Sequence, residues 1–127
     1  MGVLIQNGTI VTALDTFVGD IYCDEGVIEA IDVGLLARAD DRIIDASGQY
    51  VFPGGLDPHV HMELPFMGTV SADDFETGTA AGVAGGTTSI IDFVIPARDE
   101  DLMDALAVWH ERASKSVADY AFHMAVT

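Results

Sequence analysis

Hydrophobic and polar positions change rhythm once along the chain, near residue 53. Before that point the apolar runs are short and rich in β-branched residues: Val3-Leu4-Ile5, Thr9 to Thr12, Phe17 to Cys23, Val27 to Ile31, Ile43-Ile44 and Tyr50-Val51-Phe52. Polar turns such as Asp24-Glu25-Gly26 and Ser47-Gly48 separate them. Regular short strands of this kind predict a β-sandwich or small barrel. Asn7-Gly8 predicts a hairpin turn between the first two of them. Leu35 to Ala39 predicts one short helical turn. Residues 1–52 are therefore expected to form a β-rich unit.

After Pro53 strands alternate with longer, helix-like stretches. Leu56 to His61 reads as a strand and 62–70 as a loop. Ser71 is the expected N-cap of a helix, because Ser71-x-x-Asp74 approximates a capping box and Asp73 and Asp74 suit the positive end of a helix dipole. That helix has a small, alanine-rich face (Ala80, Ala81, Ala84), and Gly85-Gly86 stops it. Thr87 to Ile95 is a long β-branched, apolar run in which only Asp92 is charged, as expected of a strand buried on both faces. A second helix runs from about Asp101 to Ser116, with Leu102, Leu106, Trp109 and Ala113 on one stripe. Tyr120 to Val126 closes the order β-α-β-α-β, the signature of parallel βα units.

A (β/α)8 barrel takes about 250 residues. The 127 residues here hold two and a half such units. The expected fold class is therefore α/β: residues 1–52 as part of a β-sandwich, then residues 53–127 as the first β-α-β-α-β segment of a TIM-like barrel, incomplete. The simplest expectation is the N-terminal part of a longer chain.

Composition narrows the partners. The chain carries 21 acidic residues against 5 basic ones, a net charge of −16. Such a surface repels phosphate backbones and anionic membranes, so neither nucleic acid nor membrane is an expected partner. Cys23 is the one cysteine, so no internal disulfide forms, and the expected compartment is the cytoplasm.

The candidate chemistry sits at the change of rhythm. Along a strand, residues two apart share a face, which puts Asp57, His59 and His61 together. Two imidazoles at that spacing can share one metal or lean towards two, and neutral imidazole suits zinc, iron, cobalt or nickel. Bare His-x-His is a weak signal by itself. The preceding Pro-Gly-Gly, the place of the strand at the head of a parallel series, and an Asp57 able to orient an imidazole strengthen it.

The stretch Pro53-Gly-Gly-Leu-Asp-Pro-His-Val-His resembles the motif that opens the barrel of the amidohydrolase superfamily. The continuation Glu63-Leu-Pro-Phe-Met-Gly-Thr-Val-Ser-Ala-Asp-Asp, with Gly85-Gly-Thr-Thr-Ser-Ile-Ile-Asp-Phe-Val-Ile-Pro, resembles the dihydropyrimidinase and D-hydantoinase family in particular, and the resemblance covers essentially the whole chain. It implies a β-sandwich built from both chain ends plus a (β/α)8 barrel, and hydrolysis of a small cyclic amide or imide to an N-carbamoyl amino acid. It implies two divalent metal ions, most commonly Zn2+, with His59 and His61 as two of the ligands. The carboxylated lysine that bridges the metals and the acid/base aspartate are implied beyond Thr127. Leu64, Pro65, Phe66 and Met67 fall where the family has a substrate-gate loop; packing against a neighbouring loop is the alternative. The family is commonly homotetrameric. A non-enzymatic assembly protein of the same fold and an inactive truncated product are the competing functions.

Other residues take blander readings. Lys115 lies near a helix end, not a strand end, and is rejected as the bridging lysine. His123 is expected as a core histidine, His110 as a surface or packing residue, Cys23 as an inert thiol, and Asp92 as a structural hydrogen-bonder.

Overall fold

Nine residues, Val3–Val11, form β1, the central strand of the first unit. β2 (Thr16–Asp24) lies antiparallel to it and β3 (Val27–Asp32) antiparallel to β2, while β4 (Arg42–Asp45) and β5 (Tyr50–Val51) run parallel along the other edge of β1. In the computed structural model, which describes residues 1–126, these strands belong to a compact unit, Met1–Pro53, and a second unit begins at Gly54. Within the first unit the five strands make one sheet.

Asn7-Gly8 does not turn the chain. Both residues lie inside β1, where Asn7 takes φ +61° and the register against β2 shifts between Ile5 and Gly8. The pair forms a bulge, and the hairpin turn falls at Thr12–Asp15, closed by the Thr12 N–H donating to the Asp15 carbonyl at 2.9 Å. The cause is long-range. The Asn7 N–H, freed from the ladder, donates to Asp20 Oδ1 at 2.8 Å, and Asp20 is only 4% exposed. Leu35 to Ala39 is not helical; the segment is irregular, and the N–H groups of Gly34 and Leu35 donate to Asp20 Oδ2 at 2.8 and 2.9 Å.

The Asp20 carboxylate thus gathers three backbone donors, led by Asn7, and they hold its carboxyl below the usual range. A carboxyl whose folded pKa is lowered stabilises the fold above its unfolded value, about 3.9, and that contribution is lost as pH falls through the folded value. Asp20→Asn, which offers one acceptor oxygen, should therefore be less stable than wild type at pH 7. The gap should narrow from about pH 4 downward, where protonation weakens the wild-type site as well. Urea unfolding of both proteins at pH 7, 4 and 2.5 checks this; a gap that stays constant with pH would remove Asp20 from the account.

The second unit contains β6 (Gly55–Val60), a short hairpin of β7 (Pro65–Phe66) and β8 (Thr69–Val70), helix α1 (Phe75–Ala84), β9 (Thr87–Val94), helix α2 (Leu102–Ala113) and β10 (Asp119–Met124). β6, β9 and β10 form a parallel sheet in the order β10-β9-β6. Along β9, Ile90, Asp92 and Val94 are buried, at 3%, 1% and 0% exposure. They meet Phe75 from α1 and Ala105, Trp109 and Ala113 from α2, with Val60, Met62, Phe122 and Met124 packed around them. Both helices therefore cover the same face of the sheet.

Four helix details differ from the sequence expectation. Asp74, not Ser71, is the N-cap of α1: its side chain accepts from the Thr77 N–H at 2.8 Å and the Thr77 hydroxyl pairs with the Asp74 N–H. Ser71 is engaged elsewhere, its hydroxyl accepting from the Leu64 N–H at 2.9 Å. The face that α1 buries carries Phe75 and Thr79, while Ala80, Ala81 and Ala84 are exposed. On α2, Ala105 joins Trp109 and Ala113 in the core, and Leu102 stays 42% exposed. α2 is also shorter at its C-terminal end than expected, because Ser114 caps it with a hydrogen bond back to Glu111. Close approach marks one glycine: a Cβ on Gly78 would lie 2.5 Å from Met62 Sδ, so a side chain there would push the Met62 thioether from its place against α1.

Candidate metal-binding face

The parallel sheet has one face under the helices and one without them. Alternation along β9 puts Phe93 on the second face, and the register pairs it with His123 of β10. β6 reaches that face through an irregularity. Asp57 pairs with Ile90 and Val60 with Asp92, so three steps on β6 oppose two on β9. The extra residue shifts the alternation at Pro58-His59. Asp57 Oδ1 accepts the His59 N–H at 3.1 Å, so the carboxylate steadies the main chain of this kink.

The outcome is a cluster of rings. His59 and His61 have ring centroids 5.1 Å apart at an interplanar angle of 83°. Phe93 lies 4.4 Å from His59, 5.4 Å from His61 and 4.9 Å from His123. All three histidines are exposed, so His123 stands on this open face rather than in the helix-covered core. The donor set suits a metal. Two imidazoles bound to one tetrahedral ion, each at about 2.0–2.1 Å through nitrogen, place their ring centres about 5 Å apart. Among the described residues no group of three or more His, Cys, Asp or Glu side chains converges as a metal site; two imidazoles alone fall short of the three or four protein ligands of stable zinc sites.

Asp92 lies on the opposite, covered side. Its Oδ2 accepts the Met62 N–H at 2.7 Å and its Oδ1 accepts the Phe93 N–H. Burial pushes its carboxyl up, against the pull of these two donors. The buried Trp109 indole N–H approaches the same carboxyl but stays outside hydrogen-bond geometry. Asp92 is the structural hydrogen-bonder the sequence predicts, but on the helix-covered side and not on the face of the histidine rings; its partner, 30 residues away, is not readable from the strand itself.

The segment expected as a gate loop is a tied hairpin. Met67 and Gly68 have φ +49° and +80°, a turn with both central residues left-handed. Leu64 is half-buried, whereas Phe66 and Met67 are 63% and 90% exposed. The base is laced shut: the Ser71 N–H donates to the Leu64 carbonyl at 3.0 Å and the Glu63 N–H to the Asp73 carbonyl at 3.1 Å. Lys115 Nζ, 3.0 Å from both Glu63 Oε1 and Asp74 Oδ2, bridges the two ends of the segment. Lys115 is thus a tether. Leu64 and Pro65 line a cleft of about 370 Å³ with Ile95, Pro96, Trp109 and Arg112 among its walls. His110 is exposed on α2, its ring edge 5.0 Å from Phe122.

No family model matches the chain. Full-length comparison gives clear relatives. The chain is 49% identical over 125 residues to a D-hydantoinase of Geobacillus stearothermophilus, covering 98% of this chain and 26% of that protein. A crystal structure of D-hydantoinase superposes with a TM-score of 0.94 at 47% identity, over 100% of this chain and 28% of that one. The dihydropyrimidinase of Brevibacillus agri NCHU1002 gives 0.93 at 50% identity, over 99% and 27%. The chain thus spans about a quarter of the length of the relatives it matches. Over its whole length the chain is a D-hydantoinase/dihydropyrimidinase-family sequence corresponding to the N-terminal portion of those proteins.

Proposed function

We propose that these residues are the N-terminal part of a metal-dependent hydrolase that opens cyclic amides or imides, dihydropyrimidines and hydantoins, to N-carbamoyl amino acids. One observation carries the reading: two imidazoles 5.1 Å apart on an open sheet face, in a chain that matches enzymes named for this chemistry at 45–50% identity. In this reading β6, β9 and β10 open a (β/α)8 barrel, the ring cluster faces its interior, and residues 1–52 contribute to a β-sandwich. His59 and His61 would hold one of two divalent ions, Zn2+ by donor type. Such an ion supplies an ionisable water, lowering its pKa from ~15.7 to ~7.

This chain's own part is to bind and orient. Asp57 holds the His59 main chain, and the imidazoles present nitrogen donors from a strand end. Leu64 to Met67 would border the substrate's exocyclic group from the tethered hairpin, an apolar wall of the kind that binding pockets use. The remaining ligands, a carboxylated lysine and an acid/base aspartate, would come from sequence after Thr127. The reading includes a homotetramer in the cytoplasm. No helix among the described residues is long and apolar enough to cross a membrane.

The test is metal analysis together with ring-opening assays. The intact protein, metallated in the presence of carbon dioxide, should hold about two divalent ions per subunit and hydrolyse dihydrouracil or hydantoin. The 127 residues alone should hydrolyse neither. An intact protein that takes up no metal and opens neither ring would refute the proposal.

A further inference from the structure

The structure assigns Asp92 and Phe93 as positioning residues for the His59–His61 pair: two consecutive residues of β9 that seat it from opposite faces of the sheet. The inference rests on the proposed role of the two histidines as metal ligands.

The need arises from the kink in β6. A regular parallel ladder would hold every second main-chain N–H of a strand end. Here the register slips between Asp57 and Val60, and β6 ends at Val60. His61 and Met62 therefore lie past the last ladder pair, where the chain would otherwise be free to swing. The Asp92 carboxylate replaces the ladder at that point. It is 1% exposed, and its two oxygens are each committed to one main-chain N–H, that of Met62 at 2.7 Å and that of Phe93. One side chain thus links the residue after His61 to the middle strand of the sheet. A hydrogen bond to an ionised acceptor is among the stronger ones available to a protein.

The Met62 side chain adds a second anchor on the same side. Its sulfur occupies the space over Gly78 of α1, and it packs against the cluster around Phe75. With Met62 held towards the helices, His61 is turned to the open face. There the Phe93 ring lies against both imidazoles, at 4.4 and 5.4 Å. Side chains that fix the orientation of metal ligands in this way tune affinity, and their loss typically lowers it about 10–100-fold.

A carboxylate serving only the core would affect stability and leave ligand geometry alone, and two readouts separate the cases. In the metal-free intact protein, Asp92→Asn keeps one acceptor oxygen and so loses one of the two N–H bonds. Hydrogen exchange in the peptide containing Met62 should accelerate at least about tenfold, while the peptide over α2 keeps its wild-type rate. Co2+ affinity, followed by its visible absorption, should fall about tenfold or more in Asp92→Asn and in Phe93→Leu. A folded Asp92→Asn protein with wild-type exchange at Met62 and wild-type Co2+ affinity overturns the inference. If Asp92→Asn fails to fold, unchanged Co2+ affinity in Phe93→Leu overturns it. Wild-type protein that binds no Co2+ refutes the metal reading instead, and the exchange rate at Met62 in Asp92→Asn still decides whether the seat exists.

Discussion

His59→Ala in the intact protein should remove the metal on its side of the site and lower ring-opening activity at least about 10³-fold, equivalent to about 4 kcal/mol of transition-state stabilisation. The expectation follows from the count of donors. This chain offers two imidazoles at metal-sharing distance and, among the described residues, no third ligand converging with them. Alanine at 59 leaves His61 as the sole nitrogen donor from β6, and a site designed around several protein ligands loses one it cannot replace locally. The fold should survive. His59 is exposed, and its ring touches Phe93 and His61 but not the helix-covered core. Elemental analysis and assay of the same preparation separate the outcomes, with His110→Ala as the control, since His110 lies exposed on α2 with its ring against Phe122 and Tyr120. A His59→Ala protein with full metal content and activity would show that the His-Val-His strand is not part of the site.

Much of this arrangement is legible in the sequence because it depends on local period. The order β-α-β-α-β after residue 53 follows from apolar spacing, and the helix-stop at Gly85 follows from glycine chemistry. Strand alternation predicts a common face for Asp57, His59 and His61; the ring contact bears out the two histidines, whereas the kink pairs Asp57 with Ile90 and so puts it on the other side of the strand. What sequence could not show depends on partners far along the chain. Asn7-Gly8 has the composition of a hairpin turn, but Asp20, 13 residues on, captures the Asn7 N–H and makes it a bulge. Ser71 and Asp74 are equally good caps locally; the pairing of Ser71 with Leu64 across the hairpin base decides between them. The hairpin itself was hidden because methionine is a poor predictor of a left-handed turn residue, and Met67 occupies one. His123, expected as a core histidine with a barrel-facing place as the alternative, stands beside Phe93 on the face without helices: a strand pattern reveals which residues share a face, but not which face the helices will cover.

Phe75→Ala should be the most destabilising single change in the second unit, by about 3–5 kcal/mol. The ring is fully buried at the first turn of α1. It contacts Phe122 edge-on at a centroid distance of 6.5 Å and belongs to the cluster that joins α1, α2 and the sheet. Its removal costs the transfer of the phenyl group plus the cavity it leaves, because the Asp74 cap and the Thr79 hydroxyl, which bonds to the Phe75 carbonyl and accepts from the Val117 N–H, hold α1 where it is and limit collapse. Against a domain stability of about 5–15 kcal/mol, that is a large share. In urea the midpoint should fall by more than about 1 M. Phe66→Ala, at a ring 63% exposed on the hairpin, should stay within about 0.5 kcal/mol of wild type. The two phenylalanines therefore separate packing from presentation. A Phe75→Ala loss below about 1 kcal/mol would mean that α1 does not seal this face of the sheet, and with it would go the support beneath Met62 that keeps His61 turned outward.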